Sequence, residues 1–210
     1  GAIDTKIILF NAGHDTGQRY AAVTQCSQKV FDIGKSLTFC DLHDELFSLL
    51  FGKGNAVLDS GKGNELTEAT SKKDGRPIIY YNNFILLHNV DNYVLENFSC
   101  VNLRWWAINQ ICCTNGRLEN LHFFNGKLIR NQDGIDLRIG CSHIYINNIT
   151  GRLGDDVIAL SAFAELNKSL LVEGMEPDIH DITIRNVTAD TNYSLVALRN
   201  TDGAKMYRIS

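Results

Sequence analysis

Short bursts of alternating apolar and polar residues, each closed by an asparagine, recur along the second half of the chain. Val94-Leu95-Glu96-Asn97-Phe98, Arg117-Leu118-Glu119-Asn120-Leu121, Ile144-Tyr145-Ile146-Asn147-Asn148-Ile149 and Ile182-Thr183-Ile184-Arg185-Asn186-Val187 share the pattern. A period of two predicts strands with one buried face. The asparagines, at 97, 120, 148 and 186, are 23, 28 and 38 residues apart. A second series interleaves with the first: Trp106-Ala107-Ile108, Ile135-Asp136-Leu137, Ile158-Ala159-Leu160 and Val196-Ala197-Leu198. Aligned on residues 108, 135, 158 and 196, its steps are 27, 23 and 38. Two interleaved series with one drifting period predict stacked coils, each giving at least two short strands, with length differences taken up in turns. The longest insertion falls between Ser161 and Asp178.

The expected fold is all-β, a right-handed parallel β-helix. A single coil cannot bury its own inward face, so stability comes from stacking equivalent positions at the strand spacing of about 4.8 Å. Residues 108, 135, 158 and 196 are expected on one inward ladder. The asparagines are expected to form an amide ladder at one turn, buried and bonded from coil to coil. Asn97-Phe98-Ser99, Asn148-Ile149-Thr150 and Asn186-Val187-Thr188 match the glycosylation sequon, and the ladder reading takes precedence at those three sites. Asn167-Lys168-Ser169 and Asn192-Tyr193-Ser194 match it off the ladder.

The first quarter reads differently. Tyr20, Val23, Cys26, Ser27 and Val30 are spaced near 3.6 and predict a short helix capping an open end of the stack. At the other end, Lys205-Met206-Tyr207-Arg208-Ile209-Ser210 alternates like another strand with no capping element after it, which predicts further coils beyond. The whole chain, 1–210, is expected as one domain: cap and first coils over 1–50, regular coils over 76–210.

Composition narrows the function classes. A formal charge of −4 over 210 residues gives no electrostatic case for nucleic acid or an anionic membrane. No run of eighteen apolar residues exists to span a bilayer. The opening Gly1-Ala2-Ile3-Asp4 lacks the basic and apolar regions of a signal peptide. The six cysteines, at 26, 40, 100, 112, 113 and 141, form no CxxC pair and read as buried thiols.

Two tight clusters carry the candidate chemistry: Asn131-Gln132-Asp133-Gly134-Ile135-Asp136 and Gly154-Asp155-Asp156. Aligning Ile135 with Ile158 puts Asp133 one coil from Asp156, with Asp155 beside them. Three like charges so close must share a proton, bind a cation or activate water. They are expected together on a solvent-facing groove, with at least one carboxyl titrating high. Asp136 takes a supporting place between Ile135 and Leu137.

These residues resemble glycoside hydrolase family 28, the polygalacturonase-like enzymes of the pectin lyase-like β-helix superfamily. The resemblance runs from about Arg76-Pro77 to Leu160, through Trp106-Ala107-Ile108, the Asn-x-Asp-Gly-x-Asp stretch and the Asp-Asp pair. It implies a glycosidase acting with inversion on a polysaccharide or oligosaccharide, with Asp155 as general acid and Asp133 and Asp156 activating water. No cofactor and no metal are implied, and an extracellular location is expected. Asn131, Asp136, Arg138, Arg152, Arg199 and Trp105 are the candidate substrate contacts. The family's Gly-His-Gly has no counterpart here; that place reads Glu173-Gly174-Met175-Glu176-Pro177-Asp178, with His180 nearby on a strand. Val196-Ala197-Leu198 stands where the family has Arg-Ile-Lys, followed by Arg199. Those basic residues hold a galacturonate carboxylate in the family, so the glycan here is open.

Two other readings share the fold. A calcium-dependent polysaccharide lyase would use the aspartates as oxygen ligands, with Arg138 or Arg199 as base. A non-catalytic glycan-binding or structural β-helix would need no acid and no base.

Overall fold

The computed structural model describes residues 83–210 except Arg104, and, before residue 83, strand segments of the earlier chain. The strands are β1 (Lys6–Phe10), β2 (Tyr20–Thr24), β3 (Val30–Asp32), β4 (Leu37–Leu42), β5 (Phe47–Asp59), β6 (Lys72–Lys73) and β7 (Arg76–Pro77). They continue with β8 (Ile85–His88), β9 (Asp91–Val101), β10 (Ile108–Ile111), β11 (Thr114–Phe124), β12 (Ile135–Leu137), β13 (Ser142–Leu153) and β14 (Ile158–Phe163). A one-turn helix α1 (Ala164–Asn167) precedes β15 (Ile179–Thr191), β16 (Val196–Asp202) and β17 (Met206–Ile209). Among the described residues no helix is long and apolar enough to cross a membrane.

From β8 onward the chain alternates between two sheets. One runs β8-β10-β12-β14-β16, the other β9-β11-β13-β15-β17, and every pairing within these runs is parallel. The apolar series pairs as expected, Ile108 with Ile135, then Ile158 and Val196, and Ile85 of β8 extends it ahead of Ile108. The four isoleucines are fully buried, whereas Val196, on the last strand of its sheet, is half exposed. Tyr93, Leu118, Leu121, Phe123, Ile144 and Ile149 of the second sheet close the same core. Each fully buried isoleucine contributes about 1.5–3 kcal/mol, so the stack is held layer by layer.

The asparagine ladder exists but lies outside. Asn120 donates its amide to Asn97 at 2.8 Å, and Asn148 donates to Asn120 at 2.7 Å. Asn186 bonds to Asn147 instead, at 2.8 Å. These are exposed bonds, so the expectation of buried amides is corrected. All four ladder asparagines have φ between 52° and 63°. Asparagine tolerates this left-handed conformation, and here it bends the long strands sharply around the core. The bend throws the amide outward, where neighbouring coils satisfy it. Of the off-ladder sequon residues, Asn167 is buried with its amide on Phe163 O at 2.9 Å, and Asn192 is exposed.

The expected capping helix is also corrected. Tyr20–Thr24 and Val30–Asp32 are strands, and residues 25–29 lie outside those described. β2 pairs antiparallel with β1, and β1 pairs antiparallel with β8. On the other sheet β3, β4 and β5 form an antiparallel run ending on β9. Antiparallel strands therefore occupy the edge the helix was expected to protect. Tyr, Val and Thr favour strands, and pairing with an open edge outweighs a helical spacing. Cys100, Cys112, Cys113 and Cys141 are free and buried, as read from the sequence; Cys26 and Cys40 lie outside the described side chains.

Candidate active site

Each aspartate stands just ahead of a short strand of the first sheet, so strand register decides where it sits. Ile135 pairs with Ile158 and Ile158 with Val196, which aligns Asp133, Asp156 and Ser194 two residues earlier. Backbone bonds lock the alignment. Ala107 N–H donates to Asp133 O at 2.9 Å, Gly134 N–H to Asp156 O at 3.0 Å, and Val157 N–H to Ser194 O at 2.9 Å. Two motif glycines make this close approach possible. A Cβ on Gly134 would meet Val157 O at 2.5 Å, and one on Gly154 would meet Ile129 O at 2.0 Å. Facing carboxylate oxygens of Asp133, Asp155 and Asp156 thereby come within 4.8 Å of one another.

The cluster is buried, not solvent-facing. Asp155 is 8% exposed, Asp133 2% and Asp156 0%, which corrects the expectation of an open groove. Asp155 is the least buried of the three. Its Oδ2 accepts from Asn131 N–H at 2.7 Å and its Oδ1 from Asp156 N–H at 3.0 Å. Asp156 accepts Ser194 N–H at 3.0 Å on Oδ1, and the Arg199 guanidinium donates to Oδ2. One oxygen of Asp133 has no partner.

Burial and like charge act in the same direction here. Burial pushes Asp133 well above the ordinary carboxylate range, and the charges of Asp136, Asp155 and Asp156 add to it, against a smaller pull from Arg138. Burial raises Asp155 too, partly offset by the Asn131 N–H. Asp136 is pushed up to about 7, again chiefly by burial, although Arg138 and Arg199 oppose it. The cluster therefore holds protons at a pH where isolated carboxyls have lost them.

The candidate substrate contacts divide. Asn131 touches the cluster through its backbone. Asp136 and Arg138 lie on the outer face of β12 and just after it, both buried, with Arg138 Nη2 at 3.8 Å from Asp136 Oδ1. The Arg138 guanidinium also lies 4.1 Å over the Trp106 ring. Arg199, on β16, reaches Asp156. Arg152 is exposed on β13 of the other sheet, paired in register with Asp190, and makes no ion pair with the aspartates. Trp105 packs against Trp106 at 5.8 Å and is only 4% exposed, so it has no free face for a sugar. His180 is on β15, on the sheet opposite, where it bonds Asp181 at 2.7 Å and stacks on Tyr207.

Sequence reasoning missed Ser194 and Gln132. Gln132 is buried and donates to Leu103 O at 2.5 Å, fixing the turn that carries Asp133. Ser194 was legible in principle, because it precedes Val196 by two, as Asp156 precedes Ile158.

No curated protein and no solved structure matches the chain. The family model described as glycosyl hydrolases family 28 matches residues 46–176. That span is well over half of the chain and contains both aspartate clusters and the glycines that bring them together. Geometry and family description meet on the same residues: this chain belongs to family 28 of the glycosyl hydrolases.

Proposed function

We propose that the protein hydrolyses a glycan by carboxylate acid–base catalysis, with Asp155 as general acid and Asp133 with Asp156 holding the attacking water. The observation that carries this reading is the convergence of three carboxyls within 4.8 Å in a nearly closed setting. Asp155 is the most accessible of the three and titrates high, as a group delivering a proton to a leaving oxygen must. Asp156 takes the Arg199 guanidinium on one carboxylate oxygen and the Ser194 N–H on the other. Asp133 must release its proton before it can act as base.

In inverting enzymes generally, acid and base stand about 6.5–9.5 Å apart so that water fits between them. The facing oxygens here are closer. Inversion would then place water at the rim, chelated by Asp133 and Asp156 together, instead of spanned between acid and base. We take the fold around this site as a right-handed parallel β-helix, and an extracellular location as the one that suits a polymer substrate.

A calcium ion would compete for oxygens that already accept the Arg199 guanidinium and two backbone N–H groups. The deciding experiment is a panel of uronic-acid and neutral glycans, assayed for reducing ends, unsaturated ends and product anomer, with and without chelator. New reducing ends of inverted anomer, insensitive to chelator, are expected. Chelator-sensitive unsaturated ends would make the protein a lyase. Binding without any product would leave a non-catalytic module.

A further inference from the structure

The turn that carries Asp155 and Asp156 is matched in length by a turn on the next coil. Leu153 pairs with Thr191 before it and Ile158 with Val196 after it, so residues 154–157 and 192–195 lie in one register. Val157 N–H donates to Ser194 O at 2.9 Å and Ile158 N–H to Leu195 O at 3.2 Å. These bonds hold the two turns at the strand spacing of about 4.8 Å. Tyr193 is therefore the in-register neighbour of Asp155, as Ser194 is of Asp156. Side chains repeat the link on both flanks of Tyr193. The Thr191 hydroxyl donates to Asp155 O and accepts from Tyr193 N–H at 3.2 Å, while Ser194 N–H donates to Asp156 Oδ1 at 3.0 Å.

Followed back through the stack, the same column is held by Asp155, Gln132 and Trp105, three residues ahead of Ile158, Ile135 and Ile108. Those three are 8%, 1% and 4% exposed, whereas Tyr193 is 48% exposed. The column thus offers an open aromatic ring next to Asp155 and a closed one at Trp105. A second apolar group borders the open ring. Asn192 Nδ2 donates to Lys127 O at 2.6 Å, and the Lys127 ammonium pairs with Asp190, so the turn is tied to the 125–130 loop. The next residue of that loop, Leu128, is 96% exposed. Leu128 belongs to an interior coil, between β11 and β12, so its exposure does not come from standing at a sheet edge. The same loop leads into Asn131, whose N–H donates to Asp155 Oδ2 at 2.7 Å. Both segments that bond to Asp155 from its flanks therefore carry an apolar side chain open to solvent.

A pyranose ring suits such a rim, because it presents C–H bonds on its faces and hydroxyls around its edge. Tyrosine joins a flat apolar face to a polar tip, and ligand sites generally pair apolar and aromatic lining with a few polar groups that set orientation. We infer that Tyr193, with Leu128 beside it, is the platform on which the sugar ring next to the scissile bond stacks, which brings the glycosidic oxygen to Asp155. The sugar contact expected of Trp105 thus passes to the exposed end of the same column. This inference rests on the hydrolase reading above and adds to it where the substrate is held.

The test is steady-state kinetics on an oligosaccharide of the panel that the protein cleaves, with calorimetric binding of the same oligosaccharide in an Asp155→Asn background. Tyr193→Leu keeps apolar bulk and removes the flat face. It should lower kcat/KM about tenfold, chiefly through KM, and weaken binding to match. Tyr193→Phe keeps the ring and should recover most of that loss, and Leu128→Ser should cost a smaller factor of about threefold. Neither residue belongs to the core, so melting temperatures of all three variants should stay within about two degrees of the unmodified protein. Equal kcat/KM for Tyr193→Leu and Tyr193→Phe would overturn the platform and leave the hydrolase reading intact. A loss confined to kcat, with KM and binding unchanged, would also overturn it and make Tyr193 a support of the Asp155 turn. No cleavage of any glycan by the unmodified protein would sink inference and hydrolase reading together.

Discussion

Among the described residues, two clusters bring three ligand-type groups within 4.8 Å, and they could hardly differ more in environment. One is Asp133, Asp155 and Asp156; the other is His143, His180 and Asp181. The first is buried, and its Asp133 and Asp155 titrate high. In the second, the His143 side chain is 56% exposed and Asp181 23%. Asp181 there is already gripped by both arms of the Arg208 guanidinium and by His180, which hold its carboxyl far below the ordinary range. Closeness alone therefore does not identify a site. The buried cluster stores unfavourable charge and an unpartnered oxygen, both of which a substrate and a water can relieve. The exposed cluster has already relieved its own charge, and it works as a corner clasp between β13, β15 and β17.

The comparison breaks most decisively on activity. Asp155→Asn should cut kcat by about 10²–10⁴-fold, the usual worth of a positioned general acid, with little effect on KM. His180→Gln should leave kcat within about twofold. Steady-state kinetics on one cleaved glycan decide this, and equal losses in the two variants would dissolve the distinction between the clusters.

Titration sharpens the comparison further. Asp136 rises from the ordinary 3.8 to about 7 in the folded protein. Between those values the folded state keeps a proton that the unfolded chain has released, so stability should fall as pH rises from about 4 to about 7. Asp133 acts in the same direction. Asp136→Asn should flatten that part of a melting-temperature profile. It also removes a like charge beside Asp133, which then ionises more easily, so the rising limb of kcat/KM should move to lower pH. A limb that stays in place would show that Asp133 is not the base.

Much of this was legible because a period of two leaves little freedom. One slipped residue would turn every isoleucine of the 108, 135, 158 series outward, so the series fixed register, and register fixed Asp133 against Asp156. The N-terminal error has the same origin. Tyr20, Val23 and Val30 satisfy a helical spacing, yet Tyr20 and Val23 also fit one strand and Val30 another, and only the partners β1 and β4 decide between them. The asparagine ladder was placed correctly along the chain but on the wrong side of the wall, because a left-handed φ is not written in the residue pattern.

The smallest expected effect concerns the exposed cluster itself. Two imidazoles and a carboxylate suit zinc in principle, but Asp181 is claimed by a fixed cation whose charge opposes a second one. Added zinc should raise the melting temperature by no more than about a degree, because a ligand stabilises only through preferential binding to the folded state. Asp181→Asn should leave glycan activity unchanged. Its effect should appear in acid: a carboxyl held low contributes stability that is present above its unfolded value and lost as pH falls toward its folded one. Melting curves of the two proteins should therefore differ at pH above about 4 and draw together below it. A large zinc-dependent rise in melting temperature, abolished by His143→Ala, would instead show that Arg208 yields its place, and the exposed cluster would then count as a second site.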